Sequence, residues 1–194
     1  MGQSSRRTIL GRANEALLPT LSIFPTNLGW IGLLCRNSRL VSVLVGHACA
    51  EEVRRAAARQ AQEIAGDSRF RECDWNPDLR RRLERYCIGE RCNFDDIPLE
   101  FPAGTEFQQR VIRATRRISY GTTMSYGRLA EKAGFPRAAR AVGTVMSCNR
   151  FPIVVPCHRV VATGGKTGGY TSPQGVSLKL RLLALEAGGS PVTL

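Results

Sequence analysis

Long apolar runs, histidines and acidic residues are all scarce in this chain of 194 residues. No stretch approaches the roughly 18–20 consecutive apolar residues that a membrane helix needs, so we exclude an integral membrane protein. Residues 1–10 contain Arg6 and Arg7 and lack an apolar core of signal-peptide length. These two absences lead us to expect an intracellular protein that is not bound to a membrane.

Cysteine is present, but not in a pattern that builds a disulfide framework. The seven cysteines include no Cys-x-x-Cys pair and have no regular spacing, which favours a reducing compartment. The two histidines, His47 and His158, do not form a finger-like array with them. We therefore expect no metal site and no cofactor.

The shortage of acidic residues is concentrated in the second half of the chain. Residues 103–194 contain 13 basic and 3 acidic residues, whereas residues 1–102 contain 15 basic and 13 acidic ones. A basic half beside a nearly balanced half predicts a module that binds a polyanion, joined to a module of a different kind. The alternative is a basic surface without a partner.

The first half has the pattern of a small α/β domain. Three short stretches rich in β-formers, 21–24, 29–34 and 40–45, predict a β-meander. A helix over 51–65 and a second one over 78–86, capped by Asp78, follow them. We expect a loosely ordered basic leader at 1–19, a domain at 20–94 and a linker at 95–103, where two prolines and three acids break helical periodicity.

The second half, 104–194, changes to a helical pattern. Thr105 can cap one helix, and Ser125 can cap a short helix over 126–133 that ends in a turn at Gly134. Pro136 is expected to open a third helix that runs to about Ser147. Helix, glycine turn and helix is the helix-turn-helix arrangement, although an αα-hairpin that merely packs is the alternative.

The segment most informative about chemistry carries a cysteine between a proline and a histidine. Pro156 stiffens the approach to Cys157, and His158 and Arg159 follow directly. A cysteine becomes reactive when a nearby base or cation favours its thiolate, and either of these two neighbours could serve. A buried structural cysteine is the alternative, and the residues by themselves leave the two readings about even.

The run Pro156-Cys157-His158-Arg159-Val160 resembles in full the active-site motif of the O6-alkylguanine-DNA alkyltransferases, also called methylated-DNA–protein-cysteine methyltransferases. The resemblance is specific from about residue 104 to 188, and residues 24–30 are less closely similar to the start of the family's N-terminal domain. The other matching segments are Gly104-Thr105-Glu106-Phe107-Gln108, Ser125-Tyr126-Gly127-Arg128-Leu129-Ala130, Ala138-Ala139-Arg140-Ala141-Val142-Gly143, Gly169-Tyr170 and Leu182-Leu183-Ala184-Leu185-Glu186.

The resemblance implies a set of catalytic roles. Cys157 is the expected nucleophile, and His158 is the expected base, acting through a bridging water while Glu186 orients its imidazole. Asn149 is expected to tether the turn before the cysteine. Tyr126 is expected to donate its hydroxyl to N3 of the departing guanine. The alternatives are an exposed acid at 186, a helix-terminal residue at 149 and a core side chain at 126.

The resemblance also implies a base pocket and a DNA surface. Arg140 is expected to fill the gap that an extruded base leaves in the duplex. Four further cations, Arg128, Lys132, Arg150 and Lys179, are expected to be phosphate contacts or solvated charges. The positions expected at the DNA surface are Arg140, Tyr126, Gly127, Arg137, Ala139 and Thr163. The positions expected to line the base pocket are Val160, Tyr170, Thr171 and Pro152.

Three departures from the family pattern concern substrate range more than chemistry. Arg150 stands where members often have proline, and Thr171 stands where serine is common but keeps the hydroxyl. Ser172-Pro173-Gln174 replaces a glycine-rich stretch, and the loop is lengthened.

Taken together, the resemblance implies an α+β protein with an RNase H-like N-terminal domain and a winged helix-turn-helix C-terminal domain. The expected function is a single-turnover methyltransferase of DNA repair that acts as a monomer on double-stranded DNA containing O6-alkylguanine. Cys157 argues against the first rival, a non-catalytic alkyltransferase-like protein that binds lesions. The other rivals are a Cys-His hydrolase, which would turn over, and a regulatory DNA-binding protein.

Overall fold

The computed structural model describes residues 18–101, 104–165 and 167–188. It is a mixed α+β structure, as expected from the sequence. The leader predicted at 1–19 lies outside the described residues except for Leu18 and Pro19. Across the described ranges, no helix is long and apolar enough to cross a membrane.

The predicted meander is confirmed as three antiparallel strands in the first half of the chain. A short fourth strand pairs in parallel with the first, which makes the sheet order β3-β2-β1-β4. Asn37 and Ser38 both have positive φ and form the two-residue turn between the second and third strands. The strands are β1 (Thr20–Phe24), β2 (Trp30–Arg36), β3 (Arg39–His47) and β4 (Arg71–Glu72).

One face of this sheet is covered by helix α1 (Ala50–Ala65), within one residue of the predicted bounds. Val53 and Ala57 on this helix pack against Leu21, Leu34 and Leu44 of the sheet. Gly32 in β2 permits the close approach, because a Cβ there would lie 2.4 Å from a methyl group of Val53.

Helix α2 (Pro77–Cys87) covers part of the opposite face, and its predicted cap is wrong. The N-cap is Asn76, whose side chain accepts a hydrogen bond from the Leu79 amide. Pro77 occupies the first helical position, where its missing N–H costs nothing, so Asp78 lies inside the first turn. Arg80, Arg81 and Arg82 of this helix form ion pairs with neighbouring acidic residues.

The second half contains four helices, two short strands and two short 3-10 turns. Thr105 and Gln108 form a capping box at the first helix, and Ser125 caps the second, as predicted. The helices are α3 (Glu106–Arg116), α4 (Tyr126–Lys132), α5 (Ala139–Ser147) and α6 (Val176–Glu186). The parallel strands are β5 (Met124–Ser125) and β6 (Val160–Val161), and the 3-10 turns are Cys157–Arg159 and Thr163–Gly165.

The start predicted for the third helix is wrong. Helix α5 begins at Ala139 instead of at Pro136, and Ala138 is its N-cap. Arg137 has a φ of 70°, a left-handed conformation that an α-helix cannot contain, so it belongs to the turn after Gly134. A helix, a glycine turn and a second helix therefore follow one another, but Arg137 stands before the second helix.

The two halves share one apolar core, which the sequence did not indicate. Side chains of the sheet and α2 pack in a single cluster with Phe151, Ile153, Val155, Leu182 and Leu185. The described part of the predicted linker also belongs to this cluster. Ile97 and Leu99 are buried, and the backbone on either side of Leu99 bonds to both the N–H and the C=O of Leu40 at the edge of β3.

Candidate nucleophilic cysteine site

Cys157 begins a 3-10 turn at the end of a fully buried segment, 151–156. Short backbone bonds shape this segment: the Val155 amide donates to Phe151, and the Cys157 amide donates to Val155, each over 2.7 Å. Ile153 takes a φ of 72° so that the chain can make the tight turn. Cys157 is 7% exposed, so its side chain is buried rather than on the surface.

Asn149 holds both the turn and the nucleophile. Its Nδ2 donates to the carbonyl of Val155 over 2.9 Å and to Sγ of Cys157 over 3.0 Å. Its Oδ1 accepts a bond from the amide of Phe151. The tether predicted for Asn149 is therefore present in the structure, and it includes a direct contact with the sulfur that the sequence did not predict.

The Cys157 thiol is protonated in its resting state. Burial raises its pKa above the ordinary value of 9.0, and the bond from Asn149 and the positive charge of Lys179 offset only part of that increase. A thiol of this kind is a weak nucleophile until a base removes its proton. The chemistry therefore depends on the base beside it.

The neighbouring histidine is fully buried against a carboxylate from helix α6. Nε2 of His158 lies 2.8 Å from Oε1 of Glu186. Burial lowers the pKa of His158 below its ordinary value of 6.5, although Glu186 acts in the opposite direction. His158 is therefore neutral at pH 7. Glu186 is 6% exposed, which excludes the alternative of an exposed acid at a helix end.

Glu186 remains ionised because several donors converge on it. Burial by itself raises its pKa, but bonds from His158 and Arg159 outweigh that effect and hold the pKa well below the ordinary value of 4.5. Nε and Nη2 of Arg159 both donate to this carboxylate, and the Gly121 amide donates to its other oxygen over 3.0 Å. Tyr86 completes the set over 2.6 Å.

The sequence left open whether His158 or Arg159 activates Cys157, and the structure places Arg159 elsewhere. Its guanidinium bonds to Glu186 and, through Nη1, to the carbonyl of Ile118 over 2.6 Å. The cation beside Cys157 is Lys179, which is fully buried and donates to the carbonyl of Val160 over 2.6 Å. Lys179 was expected to be a phosphate contact or a solvated charge, and that expectation is wrong.

Two tyrosines stand close to the sulfur. The negative charge of Cys157, if it forms, raises the pKa of both Tyr126 and Tyr170, although burial is the larger cause for each. Nζ of Lys179 lies 5.9 Å from the centre of the Tyr126 ring. The Tyr170 hydroxyl is buried, and its hydrogen bond to the Cys157 sulfur is a further cause of its raised pKa. A small planar ligand beside Cys157 would find phenol donors here.

The positions predicted at the DNA surface lie around the two consecutive helices. Arg140 on α5 is exposed, Arg137 is exposed in the turn before it, and Gly127 and Ala139 are half-buried. Helix α5 also packs close to Tyr126, because a Cβ on Gly143 would be 4.0 Å from the Tyr126 ring.

The remaining predicted positions are spread more widely. Val160 is buried and packs in the same apolar cluster as Cys157, whereas Thr163 is exposed in the second 3-10 turn. The hydroxyl of Thr171 donates to the carbonyl of Ser147 over 2.8 Å, which ties its loop to the end of α5. Pro152 is buried in the segment before Cys157.

Sequence reasoning missed Tyr86 and misjudged Lys179. Tyr86 stands on a helical apolar stripe with Leu79 and Leu83, which is typical of a core residue and offers no local signal of a polar role. Lys179 did carry a signal, because it shares one side of α6 with Leu182 and Glu186 at helical spacing. A lysine and a glutamate on one apolar stripe indicate buried charges.

Within the described ranges, no group of three or more His, Cys, Asp or Glu side chains is placed to hold an ion. The groups that the structure brings together around Cys157 are a buried thiol, a neutral imidazole and an ionised carboxylate.

Comparison with known proteins identifies relatives of the second half most clearly. Residues 106–188 match the family described as 6-O-methylguanine DNA methyltransferase, DNA binding domain. A methylated-DNA–protein-cysteine methyltransferase of Mycolicibacterium paratuberculosis is 50% identical over 113 residues, which is 58% of this chain and 66% of that protein. The protein of that name from Methanosarcina acetivorans is 47% identical over 106 residues, or 55% of this chain and 65% of its own length. The aligned part of the chain thus spans just under two thirds of each.

Other relatives are covered more fully. The Mycobacterium tuberculosis (strain H37Rv) protein of the same name is 43% identical over 126 residues, which is 74% of its length and 62% of this chain. Among solved structures, Mycobacterium tuberculosis OGT in complex with DNA has a TM-score of 0.71 at 31% identity, over 90% of this chain and 96% of that one. The enzyme of Pyrococcus kodakaraensis, at 24% identity and a TM-score of 0.66, shares the fold.

Proposed function

The chain belongs to the methylated-DNA–protein-cysteine methyltransferase family, and from that premise we propose that it repairs DNA by moving an alkyl group from O6 of guanine to Sγ of Cys157. The observation that carries the proposal is the pairing of two features. The Asn149 amide holds the sulfur, and a neutral His158 bonded to an ionised Glu186 follows it directly in the chain.

The reaction is a displacement at the alkyl carbon. His158 accepts the thiol proton at Nδ1 through a bridging water, because Nε2 is committed to Glu186. The thiolate then forms the S–C bond while the C–O6 bond breaks, and the electron pair passes to the guanine. Tyr126 donates a hydrogen bond to N3 and stabilises the charge that develops on the departing base. The product is a thioether, which has no easy leaving group, so each molecule reacts once.

Lys179 adds an electrostatic contribution to this scheme. A buried positive charge near Sγ stabilises the thiolate relative to the thiol, and its effect is large because water is excluded. Its bond to the Val160 carbonyl also holds the backbone on which the exocyclic amine of guanine is proposed to rest. The base pocket then has Val160, Tyr170 and Thr171 on its walls.

The duplex is proposed to bind along α4 and α5, with the base extruded into the pocket because an alkylated O6 inside the stack cannot meet the sulfur in line. Arg140 fills the gap, and Gly127, Arg137, Ala139 and Thr163 lie along the strand. On this proposal the sheet and α1–α2 form an RNase H-like domain over 20–94, and 104–194 form a winged helix-turn-helix domain. All groups in the scheme belong to one chain, so a monomer suffices.

The test is stoichiometric transfer from a duplex containing O6-methylguanine, followed by intact mass measurement and peptide mapping. We expect one methyl group per chain, located on Cys157, although Cys49, Cys73 and Cys148 are more exposed. Cys157→Ser should bind the duplex and accept no methyl group. The proposal fails if the methyl group appears on another cysteine. Multiple turnovers would instead indicate a hydrolase, and lesion binding without transfer would indicate the non-catalytic rival.

A further inference from the structure

A tyrosine from the first half of the chain takes part in the hydrogen-bond network of His158. Tyr86 lies on α2, and its side chain is fully buried. Edge-to-face contacts fix its ring, with centroids 6.1 Å from Phe94 and 6.0 Å from Tyr120. Its hydroxyl therefore occupies a defined position, to which the second half of the chain contributes His158 and Glu186.

The three polar groups meet at short distances. The Tyr86 hydroxyl donates to Oε1 of Glu186 over 2.6 Å, and its oxygen lies 3.2 Å from Nε2 of His158. The same Oε1 lies 2.8 Å from Nε2. A phenol has one proton, and here it is used on the carboxylate, so the phenol oxygen presents a lone pair to the imidazole.

We propose that Tyr86 is a positioning residue that fixes the tautomer of His158, so that Nδ1 is the nitrogen able to accept the Cys157 proton. Both groups facing Nε2, the Glu186 carboxylate and the Tyr86 oxygen, are acceptors. With the proton on Nδ1 instead, the Nε2 lone pair would face two other lone pairs. The inference rests on the proposed function for its catalytic consequence, but the tautomer itself does not depend on that function.

The protonation states of the partners agree with this arrangement. Burial and the charge of Glu186 raise the pKa of Tyr86 well above its ordinary value, so the phenol keeps its proton throughout. In the proposed step the thiol proton moves to Nδ1, and the imidazolium keeps its Nε2–H bonds to Glu186 and to the Tyr86 oxygen. The proton on Tyr86 stays in place, so its role is orientation and it is not a catalytic residue.

Arg159 and Gly121 limit what Tyr86 does. They hold the Glu186 carboxylate from other directions and remain when the Tyr86 hydroxyl is removed. Tyr86→Phe therefore leaves the carboxylate in place and takes away one of the two acceptors facing Nε2. We expect a smaller fraction of His158 to hold the tautomer that can act as the base, so the transfer rate should fall about tenfold. Complete loss of a positioned base would cost roughly 10²–10⁴-fold.

Tyr120→Phe is the matched control. Tyr120 touches the Tyr86 ring, and its half-buried hydroxyl donates to the carbonyls of Gly89 over 3.0 Å and Leu185 over 3.5 Å. Both variants lose one phenol hydroxyl from the same aromatic cluster. A structural effect of losing a phenol hydroxyl from this cluster would therefore appear in both.

The experiment combines single-turnover transfer with nitrogen-15 NMR of the imidazole in the full-length protein. The sequence contains two histidines, so a His47→Gln sample assigns the signals. We expect wild type to show the Nε2–H tautomer at His158, and Tyr86→Phe to show a mixture of tautomers. Transfer by Tyr86→Phe should be about tenfold slower from both O6-benzylguanine and the O6-methylguanine duplex, with unchanged duplex affinity, while Tyr120→Phe stays within about twofold of wild type.

Three results would overturn the inference. One is an Nδ1–H tautomer in wild type. The second is a Tyr86→Phe variant with unchanged rate and tautomer, and the third is equal slowing in both variants with the tautomer unchanged. Failure of the proposed function is a different outcome, because wild type would then transfer no methyl group while the NMR comparison would still report on Tyr86.

Discussion

At the residue scale, Glu186 determines the charge balance of the buried site. Its carboxylate accepts hydrogen bonds from Tyr86, Arg159 and Gly121 and contacts His158. One negative charge therefore lies against one permanent positive charge and one neutral imidazole. A proton arriving on His158 still faces the Glu186 carboxylate, but the cluster then has a net positive charge, which a thiolate on Cys157 would balance.

We predict that acid destabilises the protein in two steps because of this network. The native pKa of His158 lies below 6.5, so the unfolded chain takes up a proton first as the pH falls through 6.5. The native pKa of Glu186 lies below 4.5, so its stabilisation is complete above that pH and is lost below it. Each unit of difference costs about 1.4 kcal/mol. Urea unfolding at several pH values between about 7 and 2 measures both steps.

Glu186→Gln isolates the second step. At pH 7 it should lower the free energy of unfolding by about 3 kcal/mol, because Arg159 is left buried without its counter-charge. The difference from wild type should shrink as the pH falls below 4.5. The control is Glu72→Gln, which removes a solvent-exposed pair with Arg54 and should cost less than about 1 kcal/mol at every pH. Equal, pH-independent losses in the two variants would contradict this assignment.

At the scale of single elements, α5 has an exposed side and a side that packs against Tyr126. Its exposed side chains include Arg140, while Ala139 and Gly143 are small and half-buried. Small residues allow close approach to a DNA backbone on one side, and Gly143 lies against Tyr126 on the other. A substitution at Arg140 should therefore affect DNA binding and leave the residues around Cys157 unaltered.

We predict that Arg140→Ala separates extrusion of the base from chemistry. Transfer from an O6-methylguanine duplex should slow by at least about tenfold, since an unfilled gap in the stack costs on the order of a few kcal/mol. Transfer from free O6-benzylguanine should remain within about twofold of wild type. Arg55→Ala, an equally exposed arginine on α1, is the control and should leave both rates unchanged. Equal losses on both substrates would show that Arg140 supports the pocket instead.

At the scale of the whole molecule, the charge is divided between the halves but the core is shared. The excess positive charge belongs to residues 103–194, which suits a polyanion partner. Nevertheless, Phe151, Val155 and Leu182 pack against the sheet and α2 of the first half. The buried segment that leads to Cys157 therefore rests on a core that neither half completes, although Cys157 itself packs in a cluster of second-half residues.

We predict that residues 104–194 alone do not fold to a stable domain. Removing the first half exposes several large apolar side chains, and the burial of each contributes about 1.5–3 kcal/mol. It also removes Tyr86 from the hydrogen-bond network of His158. The fragment should unfold without a cooperative urea transition and should bind a hydrophobic dye, in contrast to the full-length chain under the same conditions. A cooperative transition with wild-type transfer from O6-benzylguanine would show that the first half is dispensable.

The local sequence determined those parts of the protein that depend on neighbouring residues. Alternation and turn residues predicted the three-stranded meander, and caps at Thr105 and Ser125 located two helix starts, because a cap acts within three residues of itself. The local sequence was less reliable where two local signals competed. Asn76, followed by Pro77, is the N-cap of α2 in place of Asp78, and α5 begins only at Ala139 because Arg137 has a left-handed conformation. The run around Cys157 indicated the chemistry by its resemblance to a family.

Only the tertiary structure decided which charges are buried and which groups belong to the hydrogen-bond network of His158. Tyr86 and Glu186 are 100 positions apart, and no periodic pattern links residues at that separation. The same holds for the partner of Arg159 and for the position of Lys179 beside the sulfur. The Tyr86 contact follows from the packing of the second half on the first, and the other two follow from the packing of α6 against the turn at Cys157–Arg159. In both places burial removes water, so each polar group must find its partner inside the protein.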